Sequence, residues 1–117
     1  MISREQADLF AHEWIEAWNS HDLVSILGHY SEDFVMSSPR IASVVLEASG
    51  VLFGKPAVAA YWSKALALRP ELRFTLLATY VGADSVAIHY DSVRGQAIEV
   101  FFFNEASLVC RASAHYL

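Results

Sequence analysis

Glu99 is the residue whose type and setting in this 117-residue chain most invite chemistry. It stands in the run Gln96-Ala97-Ile98-Glu99-Val100-Phe101-Phe102-Phe103, a carboxylate inside a strong apolar strand signal. An ionised carboxylate buried without a partner costs several kcal/mol, so such a group keeps its proton, finds a cation or faces water. Strand alternation puts Glu99, Phe101 and Phe103 on one face and Ile98, Val100 and Phe102 on the other. Facing an apolar hollow, Glu99 would have a raised pKa and could act as general acid or base, or anchor a polar ligand group. The competing reading is a structural ion pair with Arg111 or His115, and both stay open.

His115 is the candidate partner. Its strand, Leu108 to Tyr116, should pair with the Glu99 strand across the turn Asn104-Glu105-Ala106-Ser107. A carboxylate–imidazole couple there could pass a proton; alternatively His115 packs at the sheet edge. His89 and Asp91 share a face of the preceding strand, opposite Tyr90; the pair could line the cavity or lie on the outer face of the sheet, and the sequence does not decide, with the outer face the favoured place. Other chemistries fail on spacing. Neither His-Glu-x-x-His nor Cys-x-x-Cys occurs, so no built-in metal site or cofactor is expected. Cys110 and His115 are an odd number apart on one strand and point to opposite faces, which argues against a Cys–His nucleophile. No nucleophile-elbow or phosphate-cradling glycine motif is present.

Around these residues the chain reads as one domain, residues 1–117. It is 55 % hydrophobic and 18 % charged, against about 45–50 % and about 25 % in typical domains. A lined cavity, a subunit interface or both would absorb that apolar excess. The formal net charge is −5 and the eight basic residues look dispersed, so neither nucleic acid nor an anionic membrane is an expected partner. No segment approaches the roughly 20 apolar residues needed to span a bilayer. Arg4, Glu5 and Asp8 stand where a secretory leader would be apolar, and the lone Cys110 cannot form an internal disulfide; a cytoplasmic protein is the expectation.

The elements that must position Glu99 follow from capping and periodicity. Ser3-Arg4-Glu5-Gln6 is a capping box, and Phe10, Trp14, Ala17 and Trp18 form a helical stripe to about Trp18. After Asn19-Ser20-His21-Asp22, the positions Leu23, Ile26, Leu27 and Tyr30 predict a short second helix. Phe34 to Ser38 reads as a brief extended segment ended by Pro39. Arg40 to Phe53 is ambiguous: Ile41 to Leu46 fit either a strand or a short helix stopped by Gly50, and residues 41–53 could form a lid or an interface arm. Gly54-Lys55-Pro56 opens a third helix that buries Val58, Tyr61, Trp62, Ala65 and Leu66. From Glu71 onward, strands joined by short turns predict an antiparallel meander, hence an α+β layout.

In order and spacing, Ala17-Trp18-Asn19-Ser20-His21-Asp22-Leu23, Tyr30-Ser31-Glu32-Asp33-Phe34, Ser38-Pro39, Gly54-Lys55-Pro56-Ala57-Val58, Glu99-Val100-Phe101 and Ala114-His115-Tyr116 resemble the SnoaL-like branch of the nuclear-transport-factor-2-like superfamily. The resemblance spans essentially the whole chain. It implies a cystatin-like cone, with three N-terminal helices packed on a strongly curved antiparallel β-sheet around a conical pocket. It also implies a homodimer through the outer sheet face. Relatives include ketosteroid isomerases, polyketide cyclases, epoxide hydrolases and dehydratases. In the isomerases the residue before the proline of the first strand is an aspartate base; here it is Ser38, which needs an adjacent base to take a proton. Their oxyanion tyrosine is matched by Trp14, a donor only, and their protonated acid falls near Glu99. A steroid-isomerase mechanism of that kind is therefore not expected.

The resulting expectation is a pocket for a small hydrophobic molecule. Its wall would be drawn from Trp14, Trp18, Tyr30, Phe34, Ser38, Phe53, Tyr61, Trp62 and Phe101, with Glu99 and His115 as the catalytic candidates. Cofactor-free isomerisation, cyclisation, dehydration or hydrolysis would fit. A non-catalytic binding or interaction module of the same fold is the alternative, favoured if Glu99 is tied up by arginine or the cone is filled by side chains.

Overall fold

A computed structural model describes all residues, Met1–Leu117. Helix α1 spans Arg4–Ser20, and its capping box is formed: the Ser3 hydroxyl accepts from the Gln6 amide at 3.0 Å and Gln6 accepts from the Ser3 amide at 2.9 Å. His21 ends the helix in the left-handed region, at φ 59°. Asp22 then caps the short α2, Leu23–Leu27. Tyr30 does not continue α2; it opens strand β1, Tyr30–Ser37, which is longer than the extended segment expected from sequence.

Of the two readings of Ile41 to Leu46 the helical one holds, and a strand not expected from the sequence follows it. A single turn, α3 (Ile41–Val44), precedes β2 (Val51–Phe53), which pairs antiparallel with β1. Helix α4, Lys55–Leu68, starts at Gly54–Pro56 as read. Gly54 sits at φ 90°, a conformation that a side chain would strain.

Strands β3 (Phe74–Val81), β4 (Ser85–Ser92), β5 (Gly95–Phe103) and β6 (Val109–Tyr116) form the expected meander. The sheet order is β2-β1-β6-β5-β4-β3, with β1 and β6 parallel. This is an α+β cystatin-like fold whose curved sheet stays open. Three main helices serve it, α4 coming after the first two strands rather than at the N-terminus. The core lies between the inner sheet face and the helices. Phe10 and Trp14 of α1 meet Phe101 edge-on at 5.0 and 5.3 Å, while Tyr30, Phe34 and Trp62 cluster under α4.

One polar clasp fixes α1 to the sheet. The Asn19 side chain accepts from the Phe74 amide at 2.7 Å and donates to its carbonyl at 2.9 Å, and His21 Nε2 lies 2.7 Å from the Leu72 carbonyl. The Asn-Ser-His-Asp break thus docks the end of α1 onto the start of β3. Trp14 stacks on Phe74 just beyond, at 5.5 Å and 16°.

Candidate functional site

Glu99 turns inward. It pairs across the sheet with Ile88 of β4 and Ala114 of β6, and is 5 % exposed. The next inward row is Tyr90–Ala97–Tyr116. Two alanines beside the carboxyl, where larger side chains could stand, leave room on the concave face. The space is a cavity of about 300 Å³ with Glu99 in its wall, at the lower end of the range usual for ligand pockets.

The carboxyl has no ion pair and no hydrogen bond from the protein. Desolvation alone raises its pKa from 4.5 to about 8, so at neutral pH the acid is mostly protonated. Its charge, when present, is felt by Tyr30, Tyr61, Tyr90 and Tyr116, all raised first by burial; Tyr61 is pushed up to about 12. These phenols stay neutral at physiological pH and act as donors or acceptors, not as bases. A second polar group is unsatisfied: the buried indole N–H of Trp18, another wall residue, has no acceptor. Trp14 differs. Its indole donates to the Tyr30 hydroxyl at 3.0 Å, so the donor at the isomerase tyrosine position is already used.

The expected wall is only partly correct. Trp14, Trp18, Tyr61 and Trp62 line the cavity. Tyr30, Phe34 and Phe101 do not; they are fully enclosed in the core behind it. Ser38 is also buried behind the wall, 3.4 Å from the Tyr116 hydroxyl, and supports that residue rather than facing the space. Phe53 is 75 % exposed, paired with Val35 on the opposite side of the sheet.

His115 is the larger correction. It pairs directly with Ile98, not Glu99, and is exposed on the outer face with Arg111. Directly paired residues share a face, so a one-residue difference in register separates the imidazole from the carboxyl by the thickness of the sheet. Arg111 is likewise unavailable to Glu99 and lies over the Phe102 ring at 4.1 Å. His89 and Asp91 occupy the outer face as expected, with His89 2.9 Å from Gln96. No proton-transfer partner from the protein stands beside Glu99.

Sequence reasoning missed the residues that dominate the cavity mouth. Arg40, Arg69, Arg73 and Arg94 all line it. They come from four separate connections: the end of β1, the end of α4, the lead into β3 and the β4–β5 turn. Nothing in their spacing along the chain reveals that they converge. The apparently dispersed basic residues are therefore half gathered at one site.

The SnoaL-like domain family matches residues 11–108. The chain belongs to that family. Among solved structures, a SnoaL-like protein of unknown function from Burkholderia thailandensis E264 is 50 % identical, with a TM-score of 0.95 over 99 % of this chain and 98 % of that one. A proposed isomerase of the SnoaL-like family from Agrobacterium tumefaciens C58 is 15 % identical, with a TM-score of 0.77 over 97 % and 98 % of the two chains. A protein of unknown function with a cystatin-like fold from Methylobium petroleophilum PM1 is 18 % identical, with a TM-score of 0.74 over 98 % and 78 %. These last two likenesses concern the SnoaL-like fold alone. Among curated proteins no sequence match is found. No helix of this SnoaL-like protein is long and apolar enough to cross a membrane.

Proposed function

We propose that this SnoaL-like protein is an enzyme that moves a proton on a small, largely apolar molecule held in the cone, with Glu99 as the proton-handling residue. The observation that carries the reading is the partnerless carboxyl in the wall of an open cavity. A pKa of about 8 lets one group take a proton and return it at neutral pH, the condition under which general acid–base catalysis works best. The reaction class is proton transfer next to a carbonyl, as in an isomerisation, cyclisation or dehydration. Glu99 removes the proton in its ionised form and returns it in its acidic form. The Tyr90 hydroxyl, which lines the same cavity and has no side-chain hydrogen bond, is a donor for the oxygen on which charge develops.

The non-catalytic alternative is disfavoured because Glu99 has no arginine partner and the cone is not filled. The test is hydrogen–deuterium exchange at the α-carbons of 2-tetralone in D2O, followed by NMR. Wild type accelerates exchange, and Glu99→Gln slows it by about a hundredfold or more, the usual contribution of a positioned acid–base group. Equal exchange by the two proteins rules the reading out.

A further inference from the structure

Four arginines line a cavity whose only acidic lining residue is Glu99, itself mostly neutral at pH 7, and three of them, Arg40, Arg69 and Arg94, are close enough to feel one another's charge. On a chain of net charge −5, half of all basic side chains surround this one opening. Elsewhere, Arg4 pairs with Asp8 and Lys55 lies 3.7 Å from Glu32, while Lys64 and Arg111 have no carboxylate partner. At the mouth only Arg69 has a carboxylate, Glu71 at 3.9 Å, while Arg40, Arg73 and Arg94 have none. Arg40 is instead held by its flat face over the Tyr116 ring, 3.6 Å from the centroid, which leaves its N–H edge free. Arg94 is pulled below its ordinary pKa, chiefly by the charge of Arg40, with burial and then Arg69 adding to it. Like charges drawn together without counter-charge repel one another, and an anion placed among them removes that repulsion. Guanidinium forks match the two oxygens of a carboxylate, and a low-dielectric cleft focuses their field.

We infer that the ligand of this cavity is an amphiphilic anion: a ring-bearing apolar body that enters among Trp14, Trp18, Trp62 and Phe74, joined to a carboxylate that stays at the mouth against Arg40 and Arg94. The inference rests on the cavity reading above and deepens it by naming the substrate class. The anion end fixes the entry direction, so the opposite end of the body reaches Glu99. A substrate of this kind is positioned by charge at one end and processed at the other.

All three tryptophans of the chain line the cavity, so their fluorescence reports its occupancy. The probes are 2-naphthoate and 2-naphthamide, which share a body and differ in charge. 2-Naphthoate is expected to bind at least about tenfold more tightly than the amide at low salt, with the preference shrinking as salt screens the mouth. Arg94→Gln lies on an exposed turn and should fold normally; it and Arg40→Gln each reduce the preference, and together they bring the two probes within about twofold. Equal affinities in wild type, or a preference that survives in the double variant, overturn the inference. If the probes bind equally while 2-tetralone exchange still depends on Glu99, only the anion is lost and the acid–base reading stands. If naphthoate is preferred but exchange is indifferent to Glu99→Gln, the chemistry falls and the anion site remains. If neither probe binds at millimolar concentration, the anion inference falls and the 2-tetralone exchange alone decides the acid–base reading.

Discussion

Replacing Glu99 by glutamine should make this protein more stable, and increasingly so as pH rises. The buried carboxyl binds its proton far more tightly in the folded state than in the unfolded one, with a pKa of about 8 against an ordinary 4.5. Its contribution is therefore fully present below about pH 4.5 and is lost as pH climbs through 8. The full difference between the protonated and ionised folded protein is about 5 kcal/mol. Between about pH 5 and about pH 8 the loss comes to roughly 3–4 kcal/mol, a large share of the 5–15 kcal/mol typical of a domain. Glutamine has the shape of the neutral acid and no proton to lose, so the variant does not carry this loss. The assay is urea unfolding of both proteins at several pH values, read as the difference between their unfolding free energies. Every other titrating group is common to the two and cancels. The difference should grow by several kcal/mol across that window, with little change in the slope of unfolding against urea. Parallel pH profiles, differing by no more than about 0.5 kcal/mol throughout, would refute the burial argument, because a carboxyl that titrates alike in both states contributes nothing to pH dependence.

Three structural substitutions and one assembly measurement check the remaining geometry. Tyr30→Phe removes the acceptor of the buried Trp14 indole and should cost about 1–3 kcal/mol in urea unfolding. Asn19→Ala breaks both hydrogen bonds to the Phe74 backbone and should cost about 1–2 kcal/mol while also weakening 2-naphthoate binding, because Phe74 and the neighbouring Arg73 line the cavity. His115→Ala, on the exposed outer face, should change stability by less than about 0.5 kcal/mol and leave 2-tetralone exchange untouched. A homodimer through the outer sheet face, which the resemblance implies, would cover the exposed Tyr80 and Ile98; light scattering should then give twice the 13.0 kDa chain mass, and Ile98→Lys should return it to the monomer.

The sequence carries the fold wherever a local rule decides the structure. The capping box, the Gly54-Lys55-Pro56 helix start and the turns between β3 and β6 are short-range signals, and each forms the element that it predicts. Period-two alternation likewise separates the inner from the outer residues of β5. The errors arise where a partner far along the chain decides. Tyr30 fits the helical period of α2, yet it opens β1 beside Val109. Residues 51–53 become a strand only because β1 offers them an edge. His115 carries the right chemistry on the adjacent strand, but alternation within a strand does not fix register between strands. An irregularity between Phe102 and Phe103 shifts the pairing of β5 with β6, and the imidazole falls outside. The arginine mouth was invisible for the same reason, since its members stand 54 positions apart at the extremes, Arg40 to Arg94, and meet only once the sheet has curved.

Glu99 and the arginines are better understood together than apart. A buried acid that prefers its proton is most easily ionised when positive charge is near, and four guanidinium groups line the same cavity. Yet the acid's pKa is set by desolvation, with no guanidinium holding it down. The arginines stand at the mouth and the carboxyl is enclosed among tyrosines, so the two charges are kept apart within one small space. That separation is costly in both places, as ionisation of Glu99 is resisted and the arginines repel one another. A ligand with its anion at the mouth relieves the second strain. By neutralising the arginines it also withdraws positive charge from the cavity, which makes ionisation of Glu99 harder still. Bound 2-naphthoate should accordingly push the Glu99 pKa further upward, in the direction that holds the acid protonated. Carboxyl infrared absorption of wild type minus Glu99→Gln, followed against pH with and without the ligand, measures that shift. A fall in the pKa on binding would mean that the anion and the arginines are not arranged in this way.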